Sequence, residues 1–469
     1  MSSGSLRCSG LFSRQEPPHP SRVTKKNDPQ DTLDRLLRAA RAAGADSADA
    51  LIVNNVSASV SYRLRKLEDV ERAESADLGL RVFVGQQIAF VSSTDLSDQG
   101  LAQLPQRAVA MAKLAPEDKF ACLAPPERLA KSFPALDIED TDEPPADLLV
   151  KRARTVEEAA LAVNGITNSE GGGASFGRTK IALATTEGFF GRYGSTMHSI
   201  GVAVLAGEGT QMERDYDSMS ARHDRDLESA ETIGKRAGER TVARLNPRKV
   251  KSQAVPVVYD PRVASGLLGH LAGAISGNAI ARGVSFLKDK MGQAVFATGI
   301  NIIDDPHRLS GLRSKPFDGE GVANRRMALV ENGVLKTWLL DCASARQLGL
   351  TTTGHAARGT GGPPSPSATN LYMEPGDVSP DVLIRDIGQG LYVTDLIGMG
   401  VDPVTGDYSR GASGFWIENG IRAYPVSGIT IAGNLKDMFR SLAPANDLEF
   451  RYGINAPTLR VEGMTVAGS

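Results

Sequence analysis

The sequence has no long apolar stretch. No run of about eighteen apolar residues, the minimum expected of a membrane-crossing helix, occurs among its 469 positions. The first residues also lack the continuous apolar segment of a secretory signal peptide. These absences predict a protein that does not cross a membrane, and a cytoplasmic location is expected.

The chain has no excess of charge of either sign. Its 53 basic and 55 acidic residues nearly cancel, and no run rich in Lys and Arg carries interleaved aromatic residues. Proteins that bind nucleic acid usually concentrate positive charge in this way. Nucleic acid is therefore not an expected partner.

Cysteine is scarce. The three cysteines, Cys8, Cys122 and Cys342, are far apart, odd in number and form no Cys-x-x-Cys pair. This usage is typical of reduced thiols rather than of a disulfide framework. Cys342 follows Asp341 at a predicted helix start, where an exposed thiol would have a lowered pKa, but a small buried thiol fits its surroundings better.

Histidine is also rare, and no two histidines are close in sequence. A hydrolytic zinc site often takes two histidines from one helix, with a nearby glutamate as base. No His-Glu-x-x-His pair occurs, and neighbouring histidines are at least 25 residues apart: His19, His198, His223, His270, His307 and His355. The common helical zinc motif is therefore excluded.

The chain is long enough for two to four domains, since 41% of its 469 residues are hydrophobic. Helical and strand periodicities predict an α+β fold, in which N-terminal α/β units precede a strand-rich, largely antiparallel C-terminal domain with a few helices. The predicted segments are a disordered extension at 1–30, an α-β-β-β-α domain at 31–115, a linker at 116–146, a central α/β domain at 147–250 and the antiparallel domain at 252–469.

Local signals mark the ends of several elements. Asp31 is a plausible N-cap for the first helix, and the last helix of the first domain is predicted to follow Pro105. Asn332-Gly333 and Asn419-Gly420 lie between alternating apolar residues and supply the two positive-φ positions of a type I′ turn. Two β-hairpins are therefore predicted in the C-terminal domain.

Several short motifs invite a chemical interpretation, and each has a simpler one. Residues 172–179 nearly spell a phosphate loop, but a helix precedes them and a strand pattern follows, so a mobile glycine loop is favoured. Ser285 and Lys288 match the Ser-x-x-Lys pattern, in which a lysine deprotonates a serine nucleophile, although such matches arise often by chance. Asp304 with His307, and Asp318 with Glu320, could ligate a hard cation, but solvated turns explain both groups better.

The segment 265–279 raises the sharpest question about function. Leu267, Leu271, Ala274 and Ile275 recur at helical spacing, yet His270 lies among them. A lone histidine on a helix is usually a packed or surface residue. Whether this one performs chemistry depends on what surrounds it.

Five stretches together resemble one known family. They are Asn168-Ser-Glu-Gly, Leu340-Asp-Cys-Ala-Ser-Ala-Arg-Gln-Leu-Gly, Thr353-Gly-His-Ala, Ala368-Thr-Asn-Leu-Tyr-Met-Glu-Pro-Gly and Gly414-Phe-Trp-Ile-Glu-Asn-Gly. On these residues the chain is similar to the TldD/PmbA family, also called modulators of DNA gyrase, and to its PmbA (TldE) branch. The resemblance runs from about residue 31 to the end.

The resemblance implies a metalloprotease assembly of two subunits. In this family a TldD subunit holds zinc through His-Glu-x-x-x-His on a helix and a cysteine near the C-terminus, and a TldE subunit lacks these ligands. Here Gly269 and Ala274 occupy the two histidine positions and His270 occupies the glutamate position. The C-terminal turn at 450–456 has no cysteine. The resemblance therefore implies no metal and no catalytic residue in this chain, with zinc on a TldD-like partner.

The leading hypothesis is a catalytically silent PmbA/TldE-like subunit of a heterodimer, which shapes a chamber and binds unfolded or leader peptides. Extended peptides are commonly held by adding a strand to a sheet edge. Two alternatives stay open: a self-sufficient hydrolase that uses Ser285 and Lys288 or a carboxylate pair, and a non-proteolytic interaction protein that acts on gyrase or a toxin–antitoxin component.

Overall fold

A computed structural model describes residues 28–468. The predicted extension at 1–30 lies almost entirely outside the described residues. The first helix begins at Pro29, and its N-cap is Asp28, whose carboxylate accepts a hydrogen bond from the backbone N–H of Gln30 (3.1 Å). The prediction that Asp31 is the cap is therefore wrong. Proline is well suited to the first helical position because its missing N–H would have no partner there.

The first unit has the predicted order of elements. They are α1 (Pro29–Ala42), β1 (Ser47–Arg63), β2 (Lys66–Val84), β3 (Gln87–Ser93) and α2 (Asp98–Ala112). However, α2 begins at Asp98 rather than after Pro105. The Ser97 hydroxyl caps it by accepting from Gly100 N (3.1 Å), and Leu101 and Leu104 are buried in the core. The free energy gained from the cap and from burial of these side chains exceeds the cost of Pro105 inside the helix.

The central unit continues the sheet of the first unit. Its elements are α3 (Ala146–Leu161), β4 (Ile166–Thr185), β5 (Phe190–Ala206), β6 (Glu213–Ala221) and α4 (Ala230–Ala243). The strands form one six-stranded sheet in the order β3-β2-β1-β4-β5-β6, in which β1 and β4 pair from Asp49–Thr185 to Tyr62–Gly172. The two predicted α/β units thus share one sheet.

The glycine-rich residues 172–179 lie inside β4, so the prediction of a mobile loop is wrong. They pair with β1 on one side and with β5 on the other. Packing explains the glycine, because a Cβ at Gly172 would lie 2.5 Å from the Ala153 carbonyl oxygen of α3. Glycine here lets helix and sheet approach closely.

Residues 113–145 cross from the first unit to the central unit with one short 3₁₀ turn, Pro126–Arg128. The segment is not detached from the molecule. Ala124, Leu136 and Ile138 are buried, and the Ile138 carbonyl accepts a hydrogen bond from Thr196 N (2.9 Å).

The C-terminal unit is strand-rich, as predicted, and mixes sheets with short helices. Its first elements are β7 (Gln253–Tyr259), α5 (Pro261–Ala274), α6 (Gly277–Ala281), β8 (Ile302–Asp304), β9 (Met327–Glu331), β10 (Val334–Leu335), α7 (Cys342–Gln347), β11 (Ala356–Ala357), β12 (Ser365–Pro366) and β13 (Leu371–Met373). The remainder are α8 (Pro380–Ile384), β14 (Gln389–Ile397), β15 (Asp407–Glu418), β16 (Ile421–Asn434), α9 (Leu435–Ser441), β17 (Ala443–Pro444), β18 (Ile454–Asn455) and β19 (Leu459–Ala467).

The larger C-terminal sheet has the order β16-β15-β14-β7-β19-β17, and β16 also pairs with β19, so the sheet closes on itself. A second sheet has the order β10-β9-β8-β13-β18. Most pairings are antiparallel, and the two Asn-Gly turns are confirmed by their φ angles: Asn332 48°, Gly333 79°, Asn419 52° and Gly420 77°. Helix α5 contributes Leu267, Leu268 and Leu271 to the core of this unit.

Buried charges join the first sheet to the C-terminal unit. The Arg81 guanidinium donates to Asp49 (Nε–Oδ2 2.9 Å), and Arg358 Nη1 lies 2.6 Å from Asp49 Oδ1. All three side chains are almost fully buried. Buried ions need such partners to offset the lost hydration. Within residues 28–468, no helix is long and apolar enough to span a membrane.

Candidate functional site

Helix α5 is the element on which the candidate zinc positions lie. Asp260 caps its start by accepting from Arg262 N (3.1 Å), and Pro261 occupies the first helical position. Leu267, Leu268 and Leu271 face the core. The glycines on the other side leave open space, because a Cβ at Gly266, Gly269 or Gly273 would meet no atom within 4 Å.

The three candidate positions do not fit zinc. Gly269 and Ala274 have no side-chain donor atom, and Ala274 is only 4% exposed in the core at the last residue of α5. Positions 269 and 274 are separated by about 140° around a regular helix, so side chains there could reach one metal only if the helical turn were distorted. Across the described chain, 28–468, no group of three His, Cys, Asp or Glu side chains could hold a metal ion.

His270 is a packing residue on the partly covered side of α5. Its ring lies edge-on to the ring of Tyr408, with centroids 5.9 Å apart. Burial, with the Arg410 guanidinium as a second cause, lowers the pKa of His270 below its ordinary value. The imidazole is therefore neutral at physiological pH.

The C-terminal turn that would carry a ligand cysteine is stabilised by an amide instead. Asn455 Oδ1 accepts from the backbone N–H groups of Arg451 (3.0 Å) and Tyr452 (2.8 Å), and Asn455 Nδ2 donates to the Tyr452 carbonyl (2.7 Å). The turn leads into β18, which lies beside α5. No sulfur atom is part of it.

The structure separates Ser285 from Lys288. Ser285 is 2% exposed, and its hydroxyl donates to the carbonyl of Ala274 (2.6 Å) while accepting from Leu287 N (3.0 Å). Lys288 is joined to Ser285 through the backbone, its N–H donating to the Ser285 carbonyl (3.2 Å), while its side chain is exposed. The hydroxyl therefore satisfies the last carbonyl of α5 rather than facing a base. A serine–lysine nucleophile is not assembled here.

The two carboxylate groups predicted to lie in solvated turns are largely buried, so that prediction is wrong. Asp304 accepts from Thr369 N (2.6 Å) and contacts His355 Nε2 (3.2 Å). Asp318 accepts from the backbone N–H groups of Glu320 (2.8 Å), Val322 (2.9 Å) and Ala356 (3.1 Å). These oxygens organise loops, which explains the acidic residues without a cation.

Glu320 lies against the start of α7. Burial raises the pKa of Glu320 to about 7, and its Oε2 accepts from Cys342 N (2.8 Å). Cys342 is 4% exposed, and burial raises its thiol pKa well above the usual value. The interpretation of Cys342 as a small buried thiol is confirmed.

A polar cavity that the sequence did not indicate lies at the opposite end of α5. It measures about 250 Å³. Its walls come from the start of α5, from β6 and α4 of the central unit, from the start of α8, from β14 and β16, and from the chain between α9 and β19. The lining residues are Asp217, Arg240, Asp260, Pro261, Arg262, Pro380, Tyr392, Arg422, Asp447, Glu449, Arg451, Tyr452, Asn455, Ala456 and Thr458. No local motif could have revealed it, because the lining spans more than 200 positions of sequence.

Family models match nearly the whole described chain. The PmbA/TldA metallopeptidase domain 1 matches residues 48–112, the central domain matches 139–245 and the C-terminal domain matches 252–468. The chain is 40% identical to the metalloprotease PmbA of Escherichia coli O157:H7 over 412 residues, which cover 87% of this chain and 90% of that protein. The chain belongs to the PmbA/TldD metallopeptidase family.

Further relatives support this family assignment by sequence and by fold. A PmbA homologue from Haemophilus influenzae is 37% identical over 88% of this chain and 90% of that protein. A crystal structure from Bacteroides thetaiotaomicron, described as a modulator of DNA gyrase, has a TM-score of 0.87 at 27% identity and covers 95% of this chain and all of that one. TldE from Thermococcus kodakarensis, at 21% identity and a TM-score of 0.83 over 93% of this chain and 99% of that one, has the same fold.

Two of the family stretches named from the sequence, 353–356 and 368–376, meet inside the C-terminal unit. His355 and Thr369, from two of those stretches, both contact Asp304. Asn370 accepts from Arg313 N (2.9 Å) and donates to the Asp305 carbonyl (2.7 Å). In this PmbA/TldD member these residues hold the loops of the C-terminal unit together.

Proposed function

We propose that this chain is a non-catalytic, TldE-like subunit of a TldD/TldE-type metallopeptidase, paired with a TldD-like subunit that supplies the zinc. One observation carries the proposal. The helix on which family members place their ligands has Gly269 and Ala274 at the histidine positions, and Ala274 is packed in the core. A chain without donors there cannot activate a metal-bound water.

The competing hydrolase hypothesis loses its support in the structure. Ser285 is buried and bonded to the end of α5, whereas Lys288 is exposed. A serine is activated only when a base lies within hydrogen-bond reach. The contribution of this chain is then to shape a shared chamber and to bind unfolded or leader peptides.

A sheet edge that has no strand neighbour within residues 28–468 supports the peptide-binding part of the proposal. Residues 66–77 of β2 pair with β1 on one side, but β3 pairs only with 78–84. The side chains of 66–75 are exposed, and the edge carries five acidic and two basic residues. Backbone groups at such an edge can bind an extended peptide, and the negative charge would favour a neutral or basic one.

Reconstitution with a TldD-like paralogue from the same genome tests the proposal. Each chain and the mixture are assayed on an unfolded casein-derived peptide, with and without a chelator. We expect cleavage only in mixtures that contain the paralogue, and we expect the chelator to abolish it. The Ser285→Ala variant should support the same cleavage as the parent chain once the two are compared at equal folded concentration.

Two results would overturn the proposal. One is chelator-resistant cleavage by this chain alone, which would establish a self-sufficient hydrolase. The other is a mixture that forms no complex and gains no activity, while this chain co-purifies with gyrase. That second outcome would favour a non-proteolytic interaction protein.

A further inference from the structure

The side-chain oxygens that line the cavity at the start of α5 mostly accept hydrogen bonds from protein donors already. Each Asp217 oxygen accepts from an arginine, Arg236 Nε (2.6 Å) and Arg240 Nη1 (2.8 Å). Both Asp447 oxygens accept from Thr458, at 2.8 Å from its N–H and 2.7 Å from its hydroxyl. These carboxylates have little capacity left for a donor on a ligand.

Asp260 and Asn455 are occupied in the same way. Asp260 accepts from Arg262 N (3.1 Å) and from the Tyr392 hydroxyl (3.2 Å). Asn455 is committed to its own turn through Arg451 N and Tyr452 N. The exposed Glu449 lies at the rim, 3.9 Å from Arg451 Nη1.

Donors, in contrast, are in surplus. Arg451 Nη1 lies 3.1 Å from Glu228, but the Nε and Nη2 atoms of Arg451 are buried without any hydrogen-bond partner. The Arg422 guanidinium lies over the ring of Tyr392, 4.1 Å from its centroid. Among residues 28–468, no carboxylate lies within 4.0 Å of Arg422. Arg422 is exposed, so water can reach its donors, whereas the two buried Arg451 donors that have no acceptor among the described residues indicate a missing water or anion.

We propose that this cavity binds a carboxylate group, held by Arg422 and Arg451. A planar guanidinium matches a carboxylate in shape and charge and donates two parallel hydrogen bonds to it. The volume of about 250 Å³ is far more than the roughly 15 Å³ that one water requires. Two sources share this chemistry, the C-terminus of a bound peptide and a free small carboxylic acid. The peptide source rests on the proposed function.

Direct binding to the isolated full-length chain tests the inference without zinc or a partner. The probes are fluorescein-labelled pentaalanine with a free C-terminal carboxylate and the same peptide ending in a carboxamide, followed by fluorescence anisotropy. The acid should bind about tenfold more tightly than the amide, as expected for a hydrogen-bonded charged pair. In Arg422→Gln the preference should shrink to about twofold or less.

A matched control is Arg282→Gln, which removes an exposed arginine at the C-cap of α6; among the described residues its side chain bonds to the Asn278 carbonyl alone. It should keep the preference for the acid. Competition with N-acetylalanine against N-acetylalaninamide then separates the sources: displacement by the acid assigns a free small acid, and no displacement assigns the peptide terminus.

Equal binding of the acid and amide peptides, or binding of neither, would overturn the inference even if no variant were made. A preference retained in Arg422→Gln would also overturn it. Reconstituted peptidase activity is a separate readout, so the failure of the carboxylate site and the failure of the proposed function are distinguishable.

Discussion

The two ends of helix α5 differ in the chemistry that surrounds them. At its start, Asp260 and Arg262 open onto a charged cavity with unpartnered guanidinium donors. At its end, Ala274 and Ile275 are packed among apolar side chains, and Ser285 satisfies the last carbonyl. A helix that has no metal ligands at one end can thus still present binding groups at the other. Burying a polar group without a hydrogen-bond partner is costly, so the apolar core at the end of α5 excludes polar side chains that the cavity at its start can accommodate.

The sharpest way to break this comparison is to put a ligand back at the buried end. Ala274→His forces a large polar ring into a position that is 4% exposed. We expect it to lower the free energy of unfolding by about 3 kcal/mol or more, through overpacking and an unpaired buried nitrogen. Urea denaturation followed by fluorescence measures the change.

Gly269→His is the matched control, because a Cβ at Gly269 meets nothing within 4 Å. It should change stability by about 1 kcal/mol or less, since the cost of glycine in a helix is relieved. The triple variant Gly269→His/His270→Glu/Ala274→His should not bind zinc in a titration monitored by calorimetry. Tight zinc binding by that variant would show that the end of α5 can rearrange to place metal ligands, and would contradict the contrast drawn between the two ends.

A second prediction tests what Ser285 does at the buried end. Ser285→Ala removes the donor to the Ala274 carbonyl and the acceptor for Leu287 N. Unsatisfied buried groups of this kind cost about 1–3 kcal/mol. Thermal and urea unfolding should both report the loss.

Lys288→Ala is the companion change and should alter stability by about 0.5 kcal/mol or less, because the side chain is exposed. If Lys288→Ala and Ser285→Ala abolished a chelator-resistant hydrolysis while leaving stability untouched, the structural role assigned to Ser285 would be wrong.

The smallest effect concerns His270, which lies one turn before the end of α5. Its folded-state pKa is lowered, first by burial and then by Arg410. Below about pH 6.5 the unfolded chain therefore gains a proton that the folded chain resists, and stability falls as the pH falls. Urea midpoints at about pH 7.5 and about pH 5.5 should differ less in His270→Gln than in the parent.

His198 is the reference for that measurement, because burial lowers its pKa in the same direction. Its contribution stays in the His270→Gln variant, so only part of the pH dependence should disappear. A His270→Gln profile that superimposes on the parent profile would show that His270 does not titrate differently on folding.

Much of the fold follows from local sequence signals. Strand patterns at 51–62, 78–84 and 87–92 predicted β1, β3 and the second part of β2, but not its charged first part, 66–77. The two Asn-Gly turns predicted both C-terminal hairpins with the correct φ angles. These signals work because the chemistry lies within a few neighbouring residues. The family resemblance was likewise readable, since its five stretches are each continuous.

Contacts between residues that are far apart in sequence explain the features that local sequence patterns did not predict. Residues 172–179 look like a loop because glycine disfavours strands, yet closeness to α3 requires glycine there. Asp304 and Asp318 look like solvated turn residues, but their hydrogen-bond partners come from as far away as Thr369 and Ala356. The cavity at α5 depends on seven segments whose contact only the fold creates.

The C-terminal sheet sets the order in which this unit can form. Its first strand, β7, pairs with its last, β19: Gln253 lies opposite Val466 at one end of the pairing, and Tyr259 lies opposite Leu459 at the other. About two hundred residues must therefore emerge from the ribosome before β7 gains this neighbour. The two N-terminal units can complete their shared sheet much earlier, because domains tend to fold as they are synthesised. During roughly the second half of synthesis, a nascent chain therefore has a complete N-terminal sheet and an incomplete C-terminal sheet, whose unpaired strands need protection from wrong strand partners.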